Sequence, residues 1–340
     1  MRPSSPSLRL RPVAGSDSGR LIELVAAAYA EYPGCVLDLP GVDADLLNPA
    51  SVAAQRGGRW WLLDEGGQVT ASVGTGPVDD TGHLELKRLY LDEASRGRGL
   101  ATAMIAHVEA HAAGLGAAAV ELWSDTRFTA AHHRYRSSGY TPTGESRHLG
   151  DPSDTTEYRF VKPIAAAPAR HAVTWSGPHG PDRCELVDLP DGCVVRGDVG
   201  DTRYEVEVDA DWRTRRAELA TADSRRRLTS DGVGRWWHDG AEAERLAGCL
   251  DVDLEVTPAT NLLPIRRLGL PIGGVAEPTA AWVRADASSI EPLEQRYERS
   301  GPSTWQYRAG TFEATIEVDD EGLPITYTTS RGDELWRRVT

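Results

Sequence analysis

The sequence predicts two folds in series: a first half of alternating helices and strands, and a second half that is mainly antiparallel β, as a sheet or half-barrel. Three observations carry this. At 340 residues the chain is long enough for two ordinary domains, each burying its own core. Lys162-Pro163-Ile164-Ala165-Ala166-Ala167-Pro168-Ala169-Arg170 has two prolines and no amphipathic face, and reads as a semi-extended linker. The hydrophobic patterning also differs on its two sides. The expected units are therefore residues 1–163, a linker over 164–171, and residues 172–340.

In the first half, Leu8 to Val13 alternates like a strand. Ser16 or Asp17 can cap a helix over Gly19–Ala30, which carries Leu21, Leu24, Val25 and Ala28 on one face and stops at Pro33-Gly34. Trp60–Leu63 and Val69–Val73 read as a hairpin turning at Asp64–Gln68. Leu84–Leu91 is a strand, Gly99–Ala113 a helix, Ala117–Ser124 a strand, and Thr129–Ser138 a helix closed by Gly139. Thr156–Val161 is the last strand.

The most informative stretch is Arg96-Gly97-Arg98-Gly99-Leu100-Ala101, between a strand and a helix. Glycines let the backbone approach a phosphate closely, and the first helical turn offers amide N–H groups without partners. One charge-assisted hydrogen bond contributes about 1.5–3 kcal/mol. Three or four bring a ligand to micromolar affinity, roughly −8 kcal/mol. A dinucleotide fingerprint fits poorly, because Asp92 to Arg96 separate the strand from the first glycine and Thr102 holds the third glycine position.

The pattern R-x-x-G-x-A (Arg96, Gly99, Ala101) resembles the pyrophosphate loop of the Gcn5-related N-acetyltransferases (GNAT). Ala131-x-x-x-Tyr135-x-x-x-Gly139-Tyr140 resembles the next block of that family. The resemblance implies a mixed, mostly antiparallel sheet flanked by helices, with acetyl-CoA as co-substrate. It places the diphosphate on Arg96, Gly97, Arg98, Gly99, Leu100 and Ala101. It pairs the pantetheine arm with Leu89, Tyr90 and Leu91, makes the N–H of Leu89 or Leu91 an oxyanion donor, and gives Tyr135 the protonation of the leaving thiolate. The expected acceptor is a primary amine, neutral in only about one molecule in 2,500 at pH 7. Glu85, on the strand leading to the loop, is the candidate base. Tyr29, Tyr32, Trp60 and Trp61 are available for the acceptor pocket. Adjacent strand residues face opposite ways, so only one tryptophan, with Trp60 as the candidate, is expected to see it.

The second half consists of short alternating stretches: Thr202–Val208, Arg215–Ala220, Arg226–Thr229, Asp251–Val256, Ala280–Arg284, Glu294–Arg299, Thr304–Tyr307, Phe312–Val318 and Ile325–Thr328. It holds seven of the ten tryptophans, whose indole faces either line a cavity or fill a core. Trp236-Trp237, Gly248–Leu254, the run T-x-x-T-N-x-L-P-I-R-R-L over Thr257–Leu268, and Asp319-x-x-Gly322-Leu323 resemble a family labelled glycolipid-binding. That resemblance implies a curved β-sheet and an amphiphile as ligand. Asn261 and Arg266, with Thr260, Arg267, Asp251 and Asp253, form either a polar mouth for a head group or a buried Arg–Asp pair.

The bulk numbers narrow the classes. With 40% hydrophobic and 26% charged residues the composition is globular, and no apolar run approaches the roughly 20 residues of a membrane span. Met1 to Ser7 lacks the apolar stretch of a signal peptide, so the expected compartment is the cytoplasm. A formal charge of −14 argues against nucleic acid as a partner and suits a cationic acceptor. The nine histidines show no metal spacing, and Cys35, Cys184, Cys193 and Cys249 form no C-x-x-C pair. Two function classes remain: an N-acetyltransferase of an amine, or an amphiphile-binding or sensing protein that carries an acetyltransferase fold.

Overall fold

A computed structural model describes residues 8–340; Met1 to Ser7, on which the reading of a missing signal peptide rests, lie outside it. The chain divides into two compact units, one reaching Ala167 and the other running from Pro168 to Thr340.

The first unit follows the predicted alternation. Its elements are β1 (Leu8–Pro12), α1 (Ser18–Ala30), α2 (Pro49–Gln55), β2 (Trp60–Glu65), β3 (Gln68–Val78), β4 (His83–Leu91), α3 (Leu100–Gly114), β5 (Ala119–Asp125), α4 (Thr129–Ser137), β6 (Thr141–His148) and β7 (Thr156–Pro163). The sheet order is β1-β2-β3-β4-β5-β7-β6, and only the β4–β5 pair is parallel. Both faces are covered. Leu21 and Val25 of α1 pack with Trp60, Leu62 and Val69 on one face. On the other, Met104, Ile105 and Val108 of α3 pack with Trp61, Leu63, Val73 and Leu86. The strict alternation of β2 thus sends adjacent tryptophans into two separate cores.

The second unit is a large antiparallel sheet. Its strands are β8 (His171–Gly177), β9 (Gly180–Leu189), β10 (Gly192–Val199), β11 (Thr202–Asp209), β12 (Thr214–Ala220), β13 (Arg225–Ser230), β14 (Trp236–His238), β15 (Ala241–Glu242), β16 (Asp251–Leu254), β17 (Val275–Ala276), β18 (Thr279–Val283), β19 (Ile290–Glu294), β20 (Arg296–Arg299), β21 (Thr304–Ala309), β22 (Phe312–Val318), β23 (Pro324–Thr329) and β24 (Glu334–Arg338), with one short helix, α5 (Leu262–Leu268). Fourteen strands run in the order β15-β14-β13-β12-β11-β10-β9-β8-β24-β23-β22-β21-β20-β17, and β16-β18-β19 form a separate small sheet. The first and last strands of the unit, β8 and β24, are neighbours. Leu262 and Leu263 of α5 join the core formed with β8–β14, while Ile265 joins the core formed with β20–β23. The helix therefore bridges two halves of the long sheet.

One expectation changes here, and one that the sequence left open is decided. The predicted strand Glu294–Arg299 is two strands in different sheets, separated at the buried Gln295. Arg267 and Asp251 form a buried pair, with Nε 2.9 Å from Oδ1 and a second bond from Nη2 to Oδ2, so the structural reading holds for that pair.

Candidate active site

The site begins where two strands part. β4 and β5 pair in register only at His83–Ala119, Leu84–Val120 and Glu85–Glu121. Beyond that point their facing backbone edges diverge around a cleft of about 350 Å³. Asp92 donates its N–H to Thr70 of β3. Alternation along a strand therefore directs the Leu91 N–H, and the Leu89 N–H two residues earlier, away from β3 toward the open side. Leu89, Tyr90 and Leu91 all line the cleft.

A bulge shapes this edge. Arg88 has φ +55°, a left-handed conformation that costs a branched or long side chain about 1–2 kcal/mol. Its surroundings hold it there. Ser72 Oγ donates to the Arg88 carbonyl at 2.7 Å, and the guanidinium reaches Asp43 at 2.7 Å, Asp45 at 2.6 Å and the Val42 carbonyl at 2.9 Å.

The phosphate loop closes one end. Gly97 and Gly99 have φ of +73° and +79°, and a methyl added to either would meet open space. Gly99 is the N-cap of α3 and offers no side-chain cap. The first helical bond runs from Ala103 N–H to Gly99 O, so the N–H groups of Leu100, Ala101 and Thr102 have no helical acceptor. Uncapped amides at a helix N-terminus above an open cradle fit an anionic diphosphate. Arg96, Gly97, Gly99, Leu100 and Ala101 line this end, as does Arg134 of α4, which the sequence did not single out. Arg134 Nη1 donates to Thr102 Oγ1 at 3.3 Å.

The loop arginines are engaged elsewhere. Arg96 donates to both oxygens of Glu31, at 2.7 and 2.5 Å. Arg98 donates to both oxygens of Glu65, at 2.9 and 2.8 Å, and does not line the cleft.

Tyr135 lies on the cleft wall and packs against Tyr140 and Phe160. Burial pushes its phenol well above the ordinary range, so it stays protonated and able to donate. Tyr29 lines the same cleft, with its hydroxyl 3.3 Å from Tyr90 and 3.4 Å from Asp43.

Two expectations fail on position. Trp60 lies in the core beneath α1 and Trp61 in the core beneath α3, so neither lines the cleft. Glu85 also lies outside the lining: it is on the same sheet face as Glu157, but its carboxylate is held by Lys87 at 2.6 Å and faces Arg147 at 3.7 Å. Glu157 of β7 lines the cleft instead. Burial raises its pKa above the usual carboxylate value, the neighbouring Glu85 and Asp125 charges add to this, and Arg147 at 2.7 Å opposes it. Asp125 and Asp151 line the same side; Arg127 Nη2 holds Asp125 at 2.5 Å, and Asp151 accepts from Thr155.

The two candidates in the second unit separate. Asn261 lines a cavity of about 400 Å³, but its amide is committed: Nδ2 donates to the Pro258 carbonyl at 3.1 Å and Oδ1 accepts from Tyr297 at 2.9 Å. Arg266 is outside that cavity, 2.8 Å from Glu321 and over the Trp212 ring at 5.3 Å.

Residues 23–140 match the acetyltransferase (GNAT) family, and residues 190–332 match a family described as "Putative glycolipid-binding". The chain joins a GNAT domain to a domain of that second family. N-acetyltransferase 8 of Rattus norvegicus is 34% identical over 100 residues, which are 28% of this chain and 45% of the relative; the chain thus spans less than half of that relative's length. A DUF1089 family protein of Pseudomonas aeruginosa is 30% identical, with 47% of this chain and 86% of that one covered and a TM-score of 0.37. A GNAT-family acetyltransferase of Staphylococcus aureus is 16% identical, with 46% and 99% covered and a TM-score of 0.41. All the cleft residues described above lie in the first unit, and all but Asp151, Thr155 and Glu157 lie within the stretch matched to the GNAT family. Among the described residues no helix is long and apolar enough to cross a membrane, and no group of His, Cys, Asp and Glu is arranged to hold a metal.

Proposed function

We propose that this protein is an acetyl-CoA-dependent N-acetyltransferase acting on the primary amine of a small molecule or amphiphile. The observation that carries the reading is the cleft itself: two parallel strands that part beside an uncapped helix N-terminus, with a protonated tyrosine on the wall. Open backbone edges suit an amide-bearing pantetheine chain, and the free amides of Leu100 to Thr102 suit its diphosphate.

The residues then divide the work. The amine approaches from the side of Asp151, which has no cationic partner among the described residues, and Glu157. Glu157, with its raised pKa, takes the proton that frees the nitrogen lone pair, directly or through one water. The N–H of Leu89 or Leu91 faces the negative charge that builds on the thioester oxygen during attack. As the C–S bond breaks, Tyr135 supplies a proton to the departing thiolate, whose ordinary pKa near ~8.5 makes it a tolerable leaving group even unaided.

The test is calorimetric titration with acetyl-CoA followed by a thiol-release assay over a panel of amines and amino sugars. Wild type should bind at micromolar affinity and Gly99→Glu should not. Tyr135→Phe should bind normally but turn over about 10²–10⁴-fold more slowly. Absence of acetyl-CoA binding by wild type would overturn the reading. It would favour the second one, an amphiphile-binding protein, which the cavity of the second unit supports.

A further inference from the structure

The cavity in the second unit has one acidic floor and a continuous aromatic wall. Tyr307, Phe312, Tyr327 and Trp336 form the wall: Tyr307 and Tyr327 meet edge-on at 6.1 Å, Phe312 stacks on Tyr327 at 6.2 Å, and Trp336 meets Tyr327 edge-on at 5.2 Å. Trp282 lines the cavity as well.

Asp253 of β16 supplies the acidic group. Its Oδ2 accepts from Gln295 Nε2 at 2.6 Å and its Oδ1 from Thr260 Oγ1 at 3.4 Å. Both donors are neutral. Arg267 is committed to Asp251, and among the described residues no cationic side chain is within 4.0 Å of Asp253. The charged and titratable groups around it are Glu255, the Asp251–Arg267 pair, Tyr297, Tyr307 and Tyr327, with His179 also on the cavity lining. None of these supplies a counter-charge. A half-buried carboxylate at a cavity wall with no cation beside it is poorly compensated unless a ligand neutralises it.

The remaining polar atoms discriminate between ligand classes. A sugar head group needs both donors and acceptors. The Asn261 amide is engaged at both its oxygen and its nitrogen, and Gln295 Nε2 gives its hydrogens to Asp253 and to Tyr307 Oη at 3.0 Å. The lining carries the Asp253 carboxylate, Glu255 (3.4 Å from Arg284) and aromatic faces, and a carboxylate beside aromatic faces is what attracts an ammonium ion. A volume of about 400 Å³ admits a small-ligand-sized apolar body behind that head.

We propose that this cavity binds an organic ammonium ion with an apolar body, with Asp253 as its counter-ion and the aromatic wall around it. The proposal stands whether or not the first unit transfers acyl groups.

The experiment titrates the full chain with octylammonium, octanoate and octyl glucoside at pH 7.5, by calorimetry and tryptophan fluorescence. Octylammonium should bind at least tenfold more tightly than either of the others. Asp253→Asn should weaken it at least tenfold while octyl glucoside is unaffected. Should that variant fail to unfold cooperatively, wild type alone gives the answer. Burial raises the Asp253 carboxyl to about 6, so octylammonium affinity should fall severalfold on moving from pH 7.5 to pH 5. Equal or tighter binding of octyl glucoside or octanoate would overturn the proposal. So would octylammonium affinity unchanged by both Asp253→Asn and pH.

Discussion

Freeing Arg96 from Glu31 should tighten acetyl-CoA binding. The guanidinium grips both carboxylate oxygens, so it must leave them to reach a diphosphate on the loop. Both side chains are about two-fifths exposed, at 42% and 41%. An ion pair that open contributes at most about 1 kcal/mol. Glu31→Gln should therefore improve the dissociation constant by up to about fivefold, since 1.4 kcal/mol is tenfold. Arg96→Ala removes charge-assisted bonds worth about 1.5–3 kcal/mol, less what the lost pair returns, and should weaken binding about tenfold or more. In the Arg96→Ala background, Glu31→Gln should change nothing. Glu65→Gln is the internal control: it frees Arg98, which is outside the cleft, and should leave the constant within about twofold. Calorimetry at low and physiological salt reads all four. Weaker binding in Glu31→Gln, or the same gain without Arg96, would refute the argument.

Three further outcomes follow from the geometry. Gly99→Ala should weaken acetyl-CoA binding about tenfold with little change in melting temperature, because φ of +79° costs an alanine about 1–2 kcal/mol locally while its methyl meets only open space. Arg267→Met should destabilise the protein by about 3–5 kcal/mol in urea unfolding, since it strands the buried Asp251, and adding Asp251→Asn should recover part of the loss. Asp182 is buried against Tyr204 and Thr257, and burial raises its carboxyl to about 6. The folded state then holds a proton that the unfolded state has released, so this contribution is present below about pH 4 and lost as pH rises through about 6. Wild type should gain about 2 kcal/mol over Asp182→Asn between pH 8 and pH 4; a constant difference would remove Asp182 as the cause.

Local pattern made much of the first unit legible. The strand, the two loop glycines and the helix of the phosphate end carry their signal within a few residues, because period, positive φ and a free helix terminus are local properties. β6 was missed since it is exposed throughout and has no alternation to read. α5 was missed because it is short, contains Pro264 in its first turn and buries its first four residues. In the second unit, the alternation of Glu294–Arg299 runs straight through the break at Gln295, so nothing local marks the change of sheet. Among site residues the failures were tertiary. The sequence told that Trp60 and Trp61 face opposite ways, but not that both faces of the sheet are covered. Glu157 was not singled out: the β5–β7 pairing between distant segments places it beside Asp125 at the cleft, whereas Glu85 sits two positions further down the same face beside Glu121.

The Arg88 clamp has a consequence for anyone redesigning this protein. Asp43, Asp45 and the Val42 carbonyl belong to the connection ahead of α2, and Val42 itself borders the cleft. Loop grafting is the usual route to a new acceptor range, and this connection is an obvious segment to exchange. A graft without the two aspartates would release the guanidinium and, with it, the left-handed residue just upstream of the Leu89 and Leu91 amides. The connection and the strand edge that carries those amides are mechanically tied at this position. A transplanted loop must therefore bring both carboxylates with it.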